Sequence, residues 1–129
     1  MPYVSFSDDK CMTLLTEHDL QKQIVIYLRD TDILFASNCN GFLDSSAKRL
    51  KAWHEGMSAG HPDLLIYTPN DSYNGFAIEF KTPKGDGKLD NKQSDWLQKL
   101  EVECKYFTLC SNDYTIIIET IIKYIHNIL

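Results

Sequence analysis

The chain has little that would hold it together by anything other than packing. Its four cysteines, Cys11, Cys39, Cys104 and Cys110, form no Cys-x-x-Cys pair and are scattered over separate elements. That spacing argues against a disulfide framework or a zinc site and for reduced thiols. His18, His54, His61 and His126 show no i, i+4 ligand spacing on one helix. Six glycines and four prolines among 129 residues are too few for a disordered chain. No apolar run reaches the length of a membrane span, and the first ten residues are polar, without the architecture of a signal peptide. These absences predict a reduced, cytoplasmic chain in a bacterial or host cell interior, neither secreted nor membrane-bound.

What is present is the composition of a soluble globular domain, 43% apolar and 24% charged, at a length that suits a single core. Basic excess is also missing. The net charge of −5 disfavours a general nucleic-acid coat. The cations are nonetheless unevenly placed. Lys48, Arg49 and Lys51 form one cluster, and Lys81, Lys84, Lys88 and Lys92 form another, in which four lysines meet only Asp86 and Asp90 for a local balance of +2. Any one of these is most simply a solvated surface charge; their concentration is what suggests a polyanionic partner. No repeat, low-complexity stretch or linker divides the chain.

Hydrophobic spacing and turn chemistry predict eight elements. A first helix starts at Thr16, whose hydroxyl suits an N-cap, and carries the stripe Leu20, Ile24, Tyr27, Leu28. A short strand over 33–37 follows, then a polar loop over 38–42 and a short helix from about Ser45 to near Gly56. Strands 64–67 and 76–81 flank the turn-rich segment 69–75 and should pair as an antiparallel hairpin. A flexible loop over 82–88 leads to a helix from about Asp90 to Glu103 that buries Trp96, Leu97 and Leu100. A strand over 106–109 and a helix from Asn112 or Asp113 to the C-terminus complete the set. The β-branched run from Ile116 to Ile118 alone would suit a strand, but Ile118, Ile121, Ile122, Ile125 and Leu129 have helical spacing. The order predicts an α/β fold, a small mixed β-sheet flanked by helices.

The chemistry gathers at two strands that carry charge where a buried strand should carry none, Gly60-His61-Pro62-Asp63-Leu64-Leu65-Ile66 and Phe76-Ala77-Ile78-Glu79-Phe80-Lys81. Strand alternation sets Ala77, Glu79 and Lys81 on one face and Phe76, Ile78 and Phe80 on the other. Two carboxylates, Asp63 and Glu79, with the backbone carbonyl of Phe80, are oxygen ligands of the kind a hard cation such as Mg²⁺ or Mn²⁺ takes. Lys81 beside them would orient a water and oppose charge developing on a phosphate. This combination suits phosphodiester hydrolysis. Neither Pro-Asp nor Glu-x-Lys is informative alone, since one commonly opens a turn and the other commonly forms a surface ion pair. Gln93 shares the helix face of Trp96, Leu97 and Leu100, and serves either as a capping hydrogen bond or as a group reaching into the site. Glu17, in the first turn of the first helix, is explained by the helix dipole, or by a second metal site or a water-mediated contact if that helix end abuts Asp63. Nothing indicates a nucleotide cofactor.

These residues resemble the PD-(D/E)xK nuclease superfamily and, within it, the VRR-NUC (virus-type replication–repair nuclease) family. The likeness runs from Glu17 and Gln21 through Lys51-Ala52-Trp53-His54-Glu55-Gly56-Met57-Ser58-Ala59-Gly60-His61-Pro62-Asp63-Leu64 to Glu79-Phe80-Lys81 and Lys88-Leu89, Gln93, Trp96, Leu97 and Leu100. The resemblance implies one nuclease domain over residues 1–129, with a restriction-endonuclease-like core at about 16–125. It implies metal ligation by Asp63 and Glu79, catalysis by Lys81, and completion of the site by Gln93 and Glu17. It further implies a metal-dependent DNA endonuclease, structure-selective for Holliday-junction or other branched DNA in viral or phage replication, repair or recombination, with branched or single-stranded DNA as partner. As no segment outside the nuclease core is visible, a homodimer is the expected way to widen the DNA contact. The alternative is a catalytically inactive nucleic-acid-binding module that retains the fold. One departure stands out: Glu103-Cys104-Lys105 occupies the place where the family often has a glycine after the late helix.

Overall fold

A computed structural model describes residues 16–38, 43–83, 85 and 88–129. Its elements are α1 (Glu17–Arg29), β1 (Phe35–Ser37), α2 (Ser46–His54), β2 (Leu64–Ile66), β3 (Gly75–Phe80), α3 (Asn91–Cys104), β4 (Tyr106–Ser111) and α4 (Tyr114–Ile125). The order matches the expectation, with β1, β2 and α4 shorter and β4 longer than predicted. Cys11 and Cys39 lie outside the described residues, as does Lys84; Cys104 is an exposed free thiol and Cys110 is half-buried.

The four strands form one sheet in the order β1-β2-β3-β4. β1 and β3 run antiparallel to β2, while β4 runs parallel to β3. A parallel neighbour requires a crossover, and α3 supplies it. The sheet is therefore mixed, as the spacing predicted, and the architecture is α/β. Every residue of β3 is buried, so β3 is the strand covered on both faces. Phe76, Ile78 and Phe80 join Leu20, Ile24 and Leu28 of α1 and Ile117, Ile118, Ile121 and Tyr124 of α4 in one core. Glu79 projects to the opposite side, where α3 reaches it.

Local chemistry explains the helices. Thr16 and Asp19 form a reciprocal capping box at the start of α1, and the predicted stripe Leu20, Ile24, Tyr27 and Leu28 is its buried face. Asp113 caps α4 by accepting from the Ile116 N–H. The isoleucines over 116–118 thus continue a helix whose buried residues repeat at helical spacing, and burial overrides their β propensity. One expectation fails in α3: only Leu97 is buried there. Trp96 and Leu100 are half-buried because α3 meets the sheet along a narrow stripe, and both line a groove against Ser58 and Ala59.

Candidate active site

The site is assembled from β2, β3 and the first turn of α3, and the loop entering β2 determines how closely they approach. Gly60 has φ +88°, and a β-carbon there would lie 2.6 Å from the backbone of Lys92. Only glycine lets this loop rest against the first turn of α3. His61 adds an edge-on ring contact with Trp96, centroids 5.0 Å apart. Asn38 ties down the other side. Its side-chain amide donates to the carbonyls of His61 (3.2 Å) and Pro62 (3.0 Å), and its backbone N–H donates to the Asp63 carbonyl at 3.1 Å. Asp63 is then aimed by β3 itself, as the Phe80 N–H donates to its Oδ2 at 2.9 Å.

Among the described residues Glu79 is the buried charged one, 2% exposed. Its Oε2 accepts from Gln93 Nε2 at 2.7 Å and lies 3.9 Å from Lys81 Nζ. Lys81 Nζ donates to Gln93 Oε1 at 2.7 Å. Gln93 also belongs to the N-terminal cap of α3: its N–H donates to Asp90 Oδ1, and its Oε1 accepts from the Asp90 N–H. The two roles the sequence left open for Gln93 are thus performed together. One amide closes the capping box and spans the acid and the amine, so the helix start and the site share a single geometry.

The electrostatics are unbalanced toward negative charge. Burial first, and then the nearby Asp63 carboxylate, push the Glu79 carboxyl up to about 9; Lys81 opposes this and Glu17 adds to it. Glu79 Oε1 is buried without a hydrogen-bond partner among the described residues. Cys110 stands opposite Glu79 in the β3–β4 register, and burial pushes its thiol up as well. Glu17 lies at the exposed rim, where its carboxylate accepts from Thr82 Oγ1 at 3.4 Å. Among the described residues no three acidic, histidine or cysteine side chains converge as a self-sufficient metal cage.

A hard divalent cation nevertheless fits what is there. The Glu79 carboxyl, raised by burial and by its carboxylate neighbour and left with an orphaned buried oxygen, would be stabilised in its charged form by added positive charge. Two protein carboxylates and open positions also suit Mg²⁺, which keeps several waters rather than filling a protein cage. Asp63, Glu79, Lys81 and Gln93 are thus brought together, with Glu17 at their margin. Lys88 and Lys92 are exposed beside the start of α3, and Lys48, Arg49 and Lys51 are exposed on α2.

Three contributors escaped the sequence reading. Asp90 was legible in principle, since Asp-x-x-Gln before an apolar run is a capping-box pattern. Asn38 and Thr82 act across 24 and 65 positions and leave no local signal.

The comparisons with known proteins address the same framework. A solved structure described as a VRR_NUC domain protein superposes with a TM-score of 0.71 at 22% identity, covering 87% of this chain and 89% of its own. At that identity the likeness concerns the fold. No curated protein matches the chain. No helix among the described residues is long and apolar enough to cross a membrane. The family model of the VRR-NUC domain matches residues 7–111, a span that takes in Asp63, Glu79, Lys81 and Gln93, and on that match the chain belongs to the VRR-NUC nuclease domain family.

Proposed function

We propose that the chain is a Mg²⁺- or Mn²⁺-dependent deoxyribonuclease that cuts phosphodiester bonds endonucleolytically, with preference for branched DNA such as Holliday junctions, in viral or phage replication, repair or recombination. The observation that carries this reading is the paired acids Asp63 and Glu79, one buried with an unpartnered oxygen, set beside an amine held in place by Gln93.

Asp63, Glu79 and the Phe80 carbonyl would hold the cation. When bound, it would supply Lewis-acid polarisation of a phosphate oxygen and a lowered pKa for water. The protein's own contribution is positional. Gln93 keeps Lys81 from collapsing fully onto Glu79, so the ammonium stands ready to face a phosphate whose negative charge grows as water adds to phosphorus and the P–O bond breaks. The Phe80 N–H holds Asp63 in one orientation, and the fixed loop at Gly60 keeps that carboxylate near Glu79. Lys88 and Lys92 lie at the start of α3 beside Gln93, and Lys48, Arg49 and Lys51 stand exposed on α2, giving an acidic protein local cationic groups for a polyanion. Preference for branched DNA and a homodimeric state come from the family resemblance.

The test is a cleavage panel of Holliday junction, flap, splayed arm, duplex and single strand, each with Mg²⁺ and with Mn²⁺. Wild type should cut branched substrates best, and Glu79→Ala, folded by circular dichroism, should lose metal-dependent cleavage by about 10³-fold or more. Undiminished cleavage by Glu79→Ala would overturn the assignment. Binding without cleavage by wild type would leave a nucleic-acid-binding module in its place.

A further inference from the structure

Among the described residues, α2 differs from α1, α3 and α4 in having no buried residue. It is nonetheless a well-formed helix. Ser45 caps its first turn by accepting from the Lys48 N–H, and Gly56 follows its last turn at φ +110°. Leu50 (58% exposed) and Trp53 (64% exposed) sit at i and i+3 on one face. The helix carries three cations and no acid within Ser46–His54, in a chain of net charge −5. Lys48 shares its charge with Asp44 at 2.9 Å, both exposed. Residues that flank α2 in sequence are tied together at the active site, since Asn38 bonds His61, Pro62 and Asp63. The arm is therefore rooted beside a candidate metal ligand.

We propose that α2 is a DNA-reading arm, on which Trp53 stacks against an unstacked base of the kind a branch point or gap exposes, while Lys51 and Arg49 face the flanking backbone. This rests on the nuclease reading above and names its substrate class: DNA with at least one unstacked base. Charge complementarity selects the occupant. With Lys48 paired to Asp44, pairing α2 with the same helix of a second copy would still bring Arg49 and Lys51 of both copies together, whereas a polynucleotide offers the opposite charge and a flat ring for the indole. A nine-residue helix spans about 13 Å, some four base steps of duplex, so the arm reads a short stretch of the strand. In continuous duplex every base is stacked and the indole has no partner.

The experiment measures binding without added metal, so cleavage plays no part. Fluorescence anisotropy would compare a labelled oligo(dT), a duplex with a short single-stranded gap and a continuous duplex, for wild type, Trp53→Ala and Trp53→Phe. Trp53→Ala is expected to weaken oligo(dT) and gapped-duplex binding about tenfold and continuous-duplex binding less than about twofold, with Trp53→Phe close to wild type. Oligo(dT) should also quench a part of the tryptophan emission that Trp53→Phe lacks. Equal affinity of wild type and Trp53→Ala for the gapped duplex overturns this inference alone. A wild type that binds none of the three overturns the nuclease reading with it. Sedimentation of a wild-type dimer that Trp53→Ala converts to monomer would overturn the inference in favour of a second copy on α2.

Discussion

The two helices on either side of β2 and β3 in the chain, α2 and α3, are opposites. α3 begins with Gln93 inside the site and packs Leu97 into the fold, whereas α2 buries nothing and displays Leu50 and Trp53. Both are capped and both carry lysines, so neither cap nor charge tells them apart. The difference is where each helix's polar atoms are used. The first turn of α3 bonds inward to Glu79 and Lys81, while the side-chain bonds and ion pair of α2 stay within its own neighbourhood. A site that must hold two carboxylates together needs the rigid kind of helix. A surface that must meet a substrate of variable shape can use the other kind.

The largest expected effect tests the rigid side. Folding raises the Glu79 carboxyl from its ordinary 4.5 to about 9, so the metal-free folded state keeps a proton that the unfolded chain releases. The contribution of Glu79 is therefore fully present below about pH 4.5 and is lost as pH rises toward about 9. This one group contributes a slope of at most about 1.4 kcal/mol per pH unit. Urea denaturation of wild type and Glu79→Gln across that range should show the slope in wild type and its loss in the variant. Added Mn²⁺ should stabilise wild type at high pH and leave Glu79→Gln nearly unchanged. Identical slopes would mean that the acid pair is not strained by its burial.

A second contrast uses the same residue type on the two helices. Leu97 is 8% exposed and Leu50 is 58% exposed. Leu97→Ala should cost about 2–4 kcal/mol in chemical denaturation, and Leu50→Ala less than about 0.5 kcal/mol. A comparable cost at both positions would show that α2 is covered in solution and would remove the contrast.

These contrasts explain what was legible in the sequence. The juxtaposition of Asp63, Glu79 and Lys81 could be read because the three combine on two adjacent apolar strands, although neither Pro-Asp nor Glu-x-Lys is informative alone, and the α1 stripe because helical spacing maps directly onto a buried face. The exposure of Trp96 and Leu100 was hidden, since periodicity shows which residues share a face but not how wide a strip of that face the sheet covers. The isolation of α2 was hidden for the same reason: an apolar pair at i, i+3 reads alike whether packed or bare. Asn38 was hidden by distance along the chain.

Gly60→Ala tests whether the start of α3 depends on the loop that runs from α2 to β2. The added β-carbon would lie 2.6 Å from the Lys92 backbone, so either the loop or the first turn of α3 must shift. The expected cost is about 1–3 kcal/mol of stability. If the proposed activity holds, cleavage should fall by about tenfold or more, because Gln93 adjoins Lys92 and moves with it. Full activity with lowered stability would show that the loop, not the helix, yields.

The smallest effect concerns how the two helices end. α2 is followed by Gly56 at φ +110°, where an added β-carbon would meet no heavy atom within 4 Å, whereas α3 ends on Lys105 at φ 58°, ψ 45°, in the left-handed region. A glycine enters that region freely, and a lysine does so only against its β-carbon. The bonds that hold the turn, Asn74 N–H to the Lys105 carbonyl and Asn74 Nδ2 to the Cys104 carbonyl, use no lysine side-chain atom. Lys105→Gly should therefore keep the turn and relieve the strain, offset in part by the greater freedom of glycine in the unfolded chain. The net gain is expected at about 0.5–1 kcal/mol, read as a rise in melting temperature with unchanged cleavage. Gly56→Ala should move the other way by a similar amount, through conformation alone, since the space around it is open. A loss of stability in Lys105→Gly would mean that the Lys105 side chain holds the turn by a contact stronger than the backbone strain it imposes.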